Sequence, residues 1–294
     1  MKNIYILFTF FAVLFAIESC TIINPKEPTP TYVHIDSFKF VPGNLLVQGS
    51  SSHKITSIWV YYNNGPVGVF DLPVTFPVIT SGNSGLLTIV PGISTDGITE
   101  FQEQYPFYYG DTSTLTTNAG QITTYIPKTG YTSATHFRII EDFENGNNFQ
   151  KIAGDDSIVT TSDKSLVIEG GHSGYINLPT AGDSSENING KFYPFVSGNS
   201  FIEISYRNSA QFAVGVLVST DSSGSQLVST SPEYLIGVNP SASINKMYIS
   251  LSTEASKYLS LFPSAQFRLA IKSVLPNGQS SGFVIVDNIK YLTN

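Results

Sequence analysis

The sequence predicts an all-β protein of two consecutive sandwich domains. Three observations carry this. No stretch beyond the N-terminus shows an apolar period of 3.6, so no amphipathic helix is predicted. Short runs rich in Val, Ile, Thr, Tyr and Phe alternate with period two and are punctuated by Gly, Pro, Asn and Ser, the pattern of half-buried strands joined by turns. The composition is low in charge, 13% Asp, Glu, Lys and Arg, against about 25% in an average soluble domain. Hydrophobic residues make up 41% of the 294 residues, enough for a sizeable core. A chain of this length is expected to divide in two.

The first domain is expected over residues 32–130. Ile35 to Phe40 alternates in the strand manner, and Ile55 to Tyr62 is β-branched and aromatic. Asn63-Asn64-Gly65-Pro66 follows, and Val67 to Leu72 resumes the strand. Asn-Gly between two such runs signals a hairpin, since both residues tolerate the positive φ of a tight turn. Val74 to Ile79, Leu86 to Val90 and Gln121 to Ile126 add short strands of a small antiparallel sandwich. The run Ile58 to Ile93 resembles the immunoglobulin-like modules that act as spacers in bacterial surface proteins. Trp59, the sole tryptophan, lies mid-strand and is expected in the core.

The second domain is expected over residues 134–294. It opens on Glu141-Asp142-Phe143-Glu144-Asn145-Gly146 and closes on Val284-Ile285-Val286-Asp287-Asn288-Ile289-Lys290-Tyr291-Leu292. Between them Phe201 to Arg207 alternates cleanly, and Phe212 to Val218, Met247 to Leu251 and Phe267 to Val274 read as core strands. The two end motifs resemble those of jelly-roll carbohydrate-binding and galactose-binding-like modules, which implies an eight-stranded sandwich with neighbouring first and last strands. The resemblance also implies a structural calcium where those strands meet, with Glu141, Asp142, Glu144 and Asp287 as ligands and Asp155 and Asp156 able to join. The residues alone equally allow these acids to cap turns.

The N-terminus reads as a targeting segment. Lys2 precedes fourteen residues, Ile4 to Ile17, free of charge, too short to cross a bilayer core of about 30 Å. Ile17-Glu18-Ser19-Cys20 then resembles the lipobox of bacterial lipoproteins. This implies a signal peptide over 1–19 and lipidation of Cys20, the chain's single cysteine. Residues 20–31, with three prolines and three threonines, read as a tether. Lys26-Glu27 resembles the acidic sorting signal of surface lipoproteins of the Bacteroidota, implying an outer-membrane, surface-exposed protein anchored through Cys20.

A formal net charge of −7 without any Lys/Arg cluster argues against nucleic acid, whose phosphates need a basic face. His34, His53, His136 and His172 lie far apart with no metal-ligand spacing. No nucleophile elbow, zinc-protease helix or phosphate loop occurs, and Glu103, Glu141 and Glu203 have no context marking them as a glycosidase pair. Sugars are held by aromatic faces with amides and carboxylates around the hydroxyls. The segment Phe101 to Tyr109 is the densest in rings, which makes Tyr105, Tyr108 and Tyr109 candidate ligand contacts. The alternative is that they pack between domains. In the second domain Tyr193, Phe195, Tyr206, Arg207 and Tyr234 are candidates for a concave face.

The function expected is that of a lipid-anchored, non-enzymatic envelope protein binding a glycan or another surface macromolecule through its second domain. An adaptor docking onto an outer-membrane protein is the alternative, and a carbohydrate-active enzyme the third reading.

Overall fold

The computed structural model describes residues 28–80, 82–94 and 102–294. Cys20, the signal peptide and most of the tether lie outside the described residues. The structure is all-β, built as two sandwiches, with no helix among the described residues long and apolar enough to cross a membrane.

In the N-terminal unit, Thr31–Ile35 lies between Val74–Val78, antiparallel, and Ile122–Thr124, parallel. Lys39–Phe40 likewise runs parallel to Lys128–Thr129, so the expectation of a purely antiparallel sandwich is corrected. The closing segment runs alongside the opening one in the same direction. The facing sheet orders Gly65–Asp71, Ser57–Tyr62 and Ser84–Ser94, with Gln102–Gln104 and Asp111–Thr116 both paired to the last. Val33, Ile35, Ile58, Val60, Phe76, Leu87 and Ile89 fill the space between.

The hairpin turn sits one residue earlier than Asn-Gly suggests. Asn63 and Asn64 adopt φ of 46° and 66°, while Tyr62 pairs with Gly65. Both centres of a two-residue turn need positive φ, and Asn bears it well. Gly65 is left to begin the return strand. Trp59 does not enter the core. Ile58 and Val60 do, which turns Trp59 and Tyr61 to the outer face, half-buried, where Gln104 donates to the Tyr61 hydroxyl at 3.0 Å.

The C-terminal unit has two sheets of six strands rather than eight strands in all. One orders Val159–Thr161, Ser173–Leu178, Gly282–Thr293, Ser200–Asn208 and Ser241–Ser250, with His136–Glu141 also on Gly282–Thr293. First and last strands are therefore neighbours, as the end motifs imply. The other orders Phe149–Gly154, Ser184–Asn189, Gln266–Val274, Phe212–Ser219 and Glu233–Val238, with Tyr193–Pro194 on Gln266–Val274. Ile202, Ile204, Val284, Val286 and Tyr291 from the first sheet meet Val214, Val216, Phe267, Leu269 and Ile271 from the second. A helix at Ser252–Leu261 interrupts the strands. Its packed residues Ala255, Tyr258, Leu259 and Phe262 have the i, i+3, i+4, i+7 spacing of a helix face, a signal diluted by serines on both sides.

The outer face of the first C-terminal sheet is also buried. Opposite Ile202 and Ile204, the residues Phe201, Glu203 and Ser205 point away from the core, as do Tyr248, Lys290 and Leu292 on neighbouring strands. The N-terminal unit covers them with Ile93, Tyr105, Phe107 and Tyr108. The Tyr105 ring meets Phe201 and Tyr248 edge-on, with centroids 5.2 and 4.8 Å away. At the centre lies Glu203, fully buried. Its carboxylate is 2.9 Å from the Lys246 ammonium and 3.7 Å from that of Lys290. It accepts the Tyr105 hydroxyl at 2.8 Å and the Tyr131 hydroxyl at 2.8 and 3.0 Å. Burial pushes the Glu203 pKa up, but the two lysines and the hydroxyls outweigh it and the net shift is downward. The lysines in turn donate across the seam, Lys246 to Ser52 O at 2.9 Å and Lys290 to Ser50 O at 3.2 Å.

Candidate functional site: the open face of the second sheet

The outer face of the second C-terminal sheet is open at its Ala213, Gly237 and Lys272 end, whereas Ile188, Leu217 and Ala270 on the same face are buried. Along Phe212–Ser219 the large residues Phe212, Val214, Val216 and Val218 turn inward, which leaves Ala213 and Gly215 facing out. Across the ladder Ala213 pairs with Lys272 and Gly215 with Ala270 on one side, and on the other with Gly237 and Tyr234. The floor is therefore a patch of small side chains.

Tyr234 lies on this floor because position 215 is glycine. A Cβ there would come within 2.4 Å of Glu233 O and 2.9 Å of the Tyr234 ring. The Tyr234 hydroxyl donates to Glu186 Oε1 at 2.7 Å. Lys272 Nζ is 3.7 Å from Glu186 Oε2 and 5.6 Å from the Tyr234 ring centre, a cation over a π face. Burial, then the hydrogen bond to Glu186, raises the Tyr234 pKa, so the phenol stays protonated. Beyond Lys272 the face dips into an open depression of about 350 Å³ lined by Gln211, Ala213, Gly237, Asn239, Lys272 and Val274. Gln211 Nε2 donates to Asn239 Oδ1 at 3.1 Å across its rim. An apolar floor, one tyrosine, two amides and an ion pair form a shallow surface suited to a ligand with a C–H face and a hydroxylated edge. Its sequence signal was the set of small outward residues, Ala213, Gly215, Gly237 and Ala270, within otherwise bulky strands.

The ligand set expected from sequence is not brought together. Tyr105 and Tyr108 are buried between the domains, and Tyr193 and Tyr206 belong to the sandwich core. Tyr109 is 38% exposed at the edge of the seam, where its carbonyl accepts from Thr129. Arg207 stacks 5.8 Å over Phe283 and donates to the Ser165 carbonyl. The aromatic run was a signal for domain packing, because large rings release most free energy where they lose most water.

The four acids expected to hold calcium face separate donors. Glu141 accepts from Phe143 N at 2.8 Å and Asn148 N at 2.7 Å, holding its own turn. Asp142 accepts from Glu144 N at 3.1 Å. Glu144 accepts from Gly171 N and His172 N at 2.8 and 3.1 Å. Asp287 accepts from Ser173 Oγ at 2.7 Å and Glu169 N at 3.2 Å. Asp155 is held by Ser184 N at 3.0 Å. Among the described residues no three His, Cys, Asp or Glu side chains are arranged to hold a metal ion, and the acids named above are spread over separate turns. The physical reason is that a bulge at Asp287-Asn288, where Asn288 takes φ of 47°, and the turn after Glu141 each present backbone N–H groups that the carboxylates satisfy.

No family model matches the chain, and no curated protein matches it. Among solved structures, the chain is similar to TmCBM61, determined with β-1,4-galactotriose, at 12% identity and a TM-score of 0.36, over 53% of this chain and 99% of that one. It is similar to a carbohydrate-binding module of the β-sandwich superfamily described for promiscuous specificity, at 13% identity and a TM-score of 0.38, over 91% of this chain and 99% of that one. It is also similar to CBM29_1, a family 29 carbohydrate-binding module from Piromyces equi, at 11% identity and a TM-score of 0.35, over 55% of this chain and 92% of that one.

Proposed function

We propose that this protein is a lipid-anchored, non-enzymatic component of the cell envelope that binds glycan through the open face of its C-terminal sandwich. The observation that carries the reading is the asymmetry of that sandwich. One outer face is sealed by the N-terminal unit around Glu203, while the other holds Tyr234 flat on Gly215 between Lys272 and Glu186. The N-terminal unit serves as a spacer, and Cys20, from its place in the sequence, carries the lipid.

The test is a glycan-array screen of the Cys20→Ala chain beside its Tyr234→Ala variant. A specific hit that weakens at least about tenfold in the variant supports the face. A clean blank, or a hit indifferent to Tyr234, overturns it. Unchanged membrane fractionation of Cys20→Ala would count against lipidation.

A second reading, an adaptor docking onto an outer-membrane protein, draws on one observation. The turn Leu45–Gln48 presents Leu46 at 95% exposure beside Val47 at 53%, and Asn44 caps it by accepting from Leu46 N at 3.0 Å. Leu46→Glu would then abolish co-purification with a membrane partner and leave glycan binding intact.

A further inference from the structure

The chain enters the fold at one end of the N-terminal unit, and that end carries no charge. Thr31 Oγ1 accepts from Asn118 N at 2.9 Å, and Pro30 O accepts from Gly120 N at 2.8 Å. Asn83 O accepts from Thr117 N at 3.0 Å, and Asn63 N donates to Leu86 O at 2.8 Å. The opening strand, the Asn63-Asn64 turn, Asn83 and the loop 117–121 therefore meet around the point of entry. The last three belong to the stretches 55–70, 72–95 and 112–127, none of which contains Asp, Glu, Lys, Arg or His. Charged residues gather toward the seam instead. Lys39 pairs with Lys128 next to Phe40, Glu103 pairs with Ile93, and Lys54 N donates to the Tyr248 hydroxyl at 2.8 Å.

The uncharged end is apolar on its outside. Val33 and Ile35 turn into the core, so Tyr32 faces out. Pro77 lies opposite it on one neighbouring strand and Ile122 on the other. Val78 is buried, and Ile79, one residue on, turns out. Ile79 is 67% exposed and Ile122 64%. Pro77 is exposed and Tyr32 half-buried. The next row of the same face, Thr75, His34 and Thr124, is polar. The apolar row is thus confined to the end where the tether joins.

Its position says what covers it. Thr31 follows Cys20 by eleven residues, and a chain spans at most about 3.3–3.6 Å per residue, so an anchor at Cys20 keeps this end within about 40 Å of the bilayer. Uncharged loops lose no ion hydration on approaching lipid. Exposed isoleucines gain by leaving water, and a tyrosine suits the headgroup boundary. With no Lys or Arg there, anionic headgroups are not selected.

We propose that the tether end of the N-terminal unit rests, through Ile79 and Ile122, on the zwitterionic lipid surface that holds the Cys20 anchor. The unit is then seated on the membrane rather than held off it. The occupant rests on the lipid-anchor reading above, but the surface shares no residue with the Tyr234 face.

The test follows Ile δ1 methyl signals of the chain purified from membranes, in nanodiscs of phosphatidylcholine and phosphatidylethanolamine with a small fraction of gadolinium-chelating lipid. The Ile79 and Ile122 methyls are expected to broaden far more than those of Ile152 and Ile244, which are exposed on the C-terminal unit. Ile79→Asp, at an exposed position, keeps the fold and the anchor. It should cut the broadening at Ile122 about fivefold, since it removes apolar contact and adds a charge. Equal broadening on the two units overturns the proposal, as does broadening at Ile122 that Ile79→Asp leaves intact. Ile79 and Ile122 signals that ignore the nanodisc but move with protein concentration would mean that a second copy covers the patch, and would also overturn it. If mass spectrometry finds no lipid on Cys20, the anchor reading fails alone. The chain is then coupled through that thiol to a maleimide-bearing lipid, and the same signals decide the surface.

Discussion

Glu203 lies 2.9 Å from the Lys246 ammonium in the seam between the two sandwiches, and their side chains are 0% and 2% exposed. With Lys290 also at the carboxylate, one anion serves two cations in a place closed to water. Removing the anion leaves both ammoniums buried without a counter-charge. Glu203→Gln is therefore expected to destabilise the protein by about 3–5 kcal/mol, the cost of breaking a buried pair from one side. Urea unfolding measures it, and a loss under about 1 kcal/mol would show that water reaches the seam.

Lys290 makes the seam pH-sensitive. Burial first, then Lys246, lowers its pKa to about 8 despite Glu203, from an ordinary 10.5. Between these values the unfolded chain binds the proton and the folded one does not, so this group's contribution improves as pH rises from about 8 to about 10.5 and its cost is complete below about 8. Relative to Lys290→Met, the wild type should gain on the order of 3 kcal/mol across that window. A gap between the two that stays constant with pH would place Lys290 in solvent.

Asp287 acts in the opposite direction. Burial raises its pKa to about 7 from 3.8, against hydrogen bonds from Ser173, Asn288 and Glu169. The folded state then holds a proton that the unfolded state has lost, and the benefit is present below about 4 and lost as pH rises through about 7. Compared with Asp287→Asn, the wild type should be relatively more stable at about pH 5 than at about pH 8. Denaturation midpoints of the two proteins at both values check the sign.

The seam also predicts cooperativity. Cutting the chain to residues 134–294 uncovers Phe201, Tyr248 and Leu292, which the N-terminal unit otherwise buries. That fragment is expected to bind a hydrophobic dye and to melt below the full chain, whereas the full chain melts in one transition. Two separated transitions in the full chain would show that the sandwiches fold independently.

Because the acids at the domain's ends already accept backbone N–H bonds, chelation is expected to leave the melting temperature unchanged. A fall on adding a chelator, reversed by calcium, would reinstate a calcium site there.

Much of the fold was legible because period-two burial writes itself into strands such as Ser200–Asn208. The same strand shows why the site was not. Ile202, Ile204 and Tyr206 mark one buried face, but Phe201, Glu203 and Ser205 are buried as well, and no single strand reveals that a second domain sits on it. The aromatic run around Tyr105 pointed equally to a ligand and to a seam, since both ask for rings out of water.

The sealing of one sandwich face has a mechanical consequence. Load applied at Tyr234 crosses the C-terminal core and passes to the N-terminal unit through the packed rings, the Glu203 charges and the hydrogen bonds that cross the seam at Ser50, Ser52 and Lys54. The two sandwiches then behave as one stiff lever, and a pull on the distal face is felt at the chain's root as torque rather than as slack taken up.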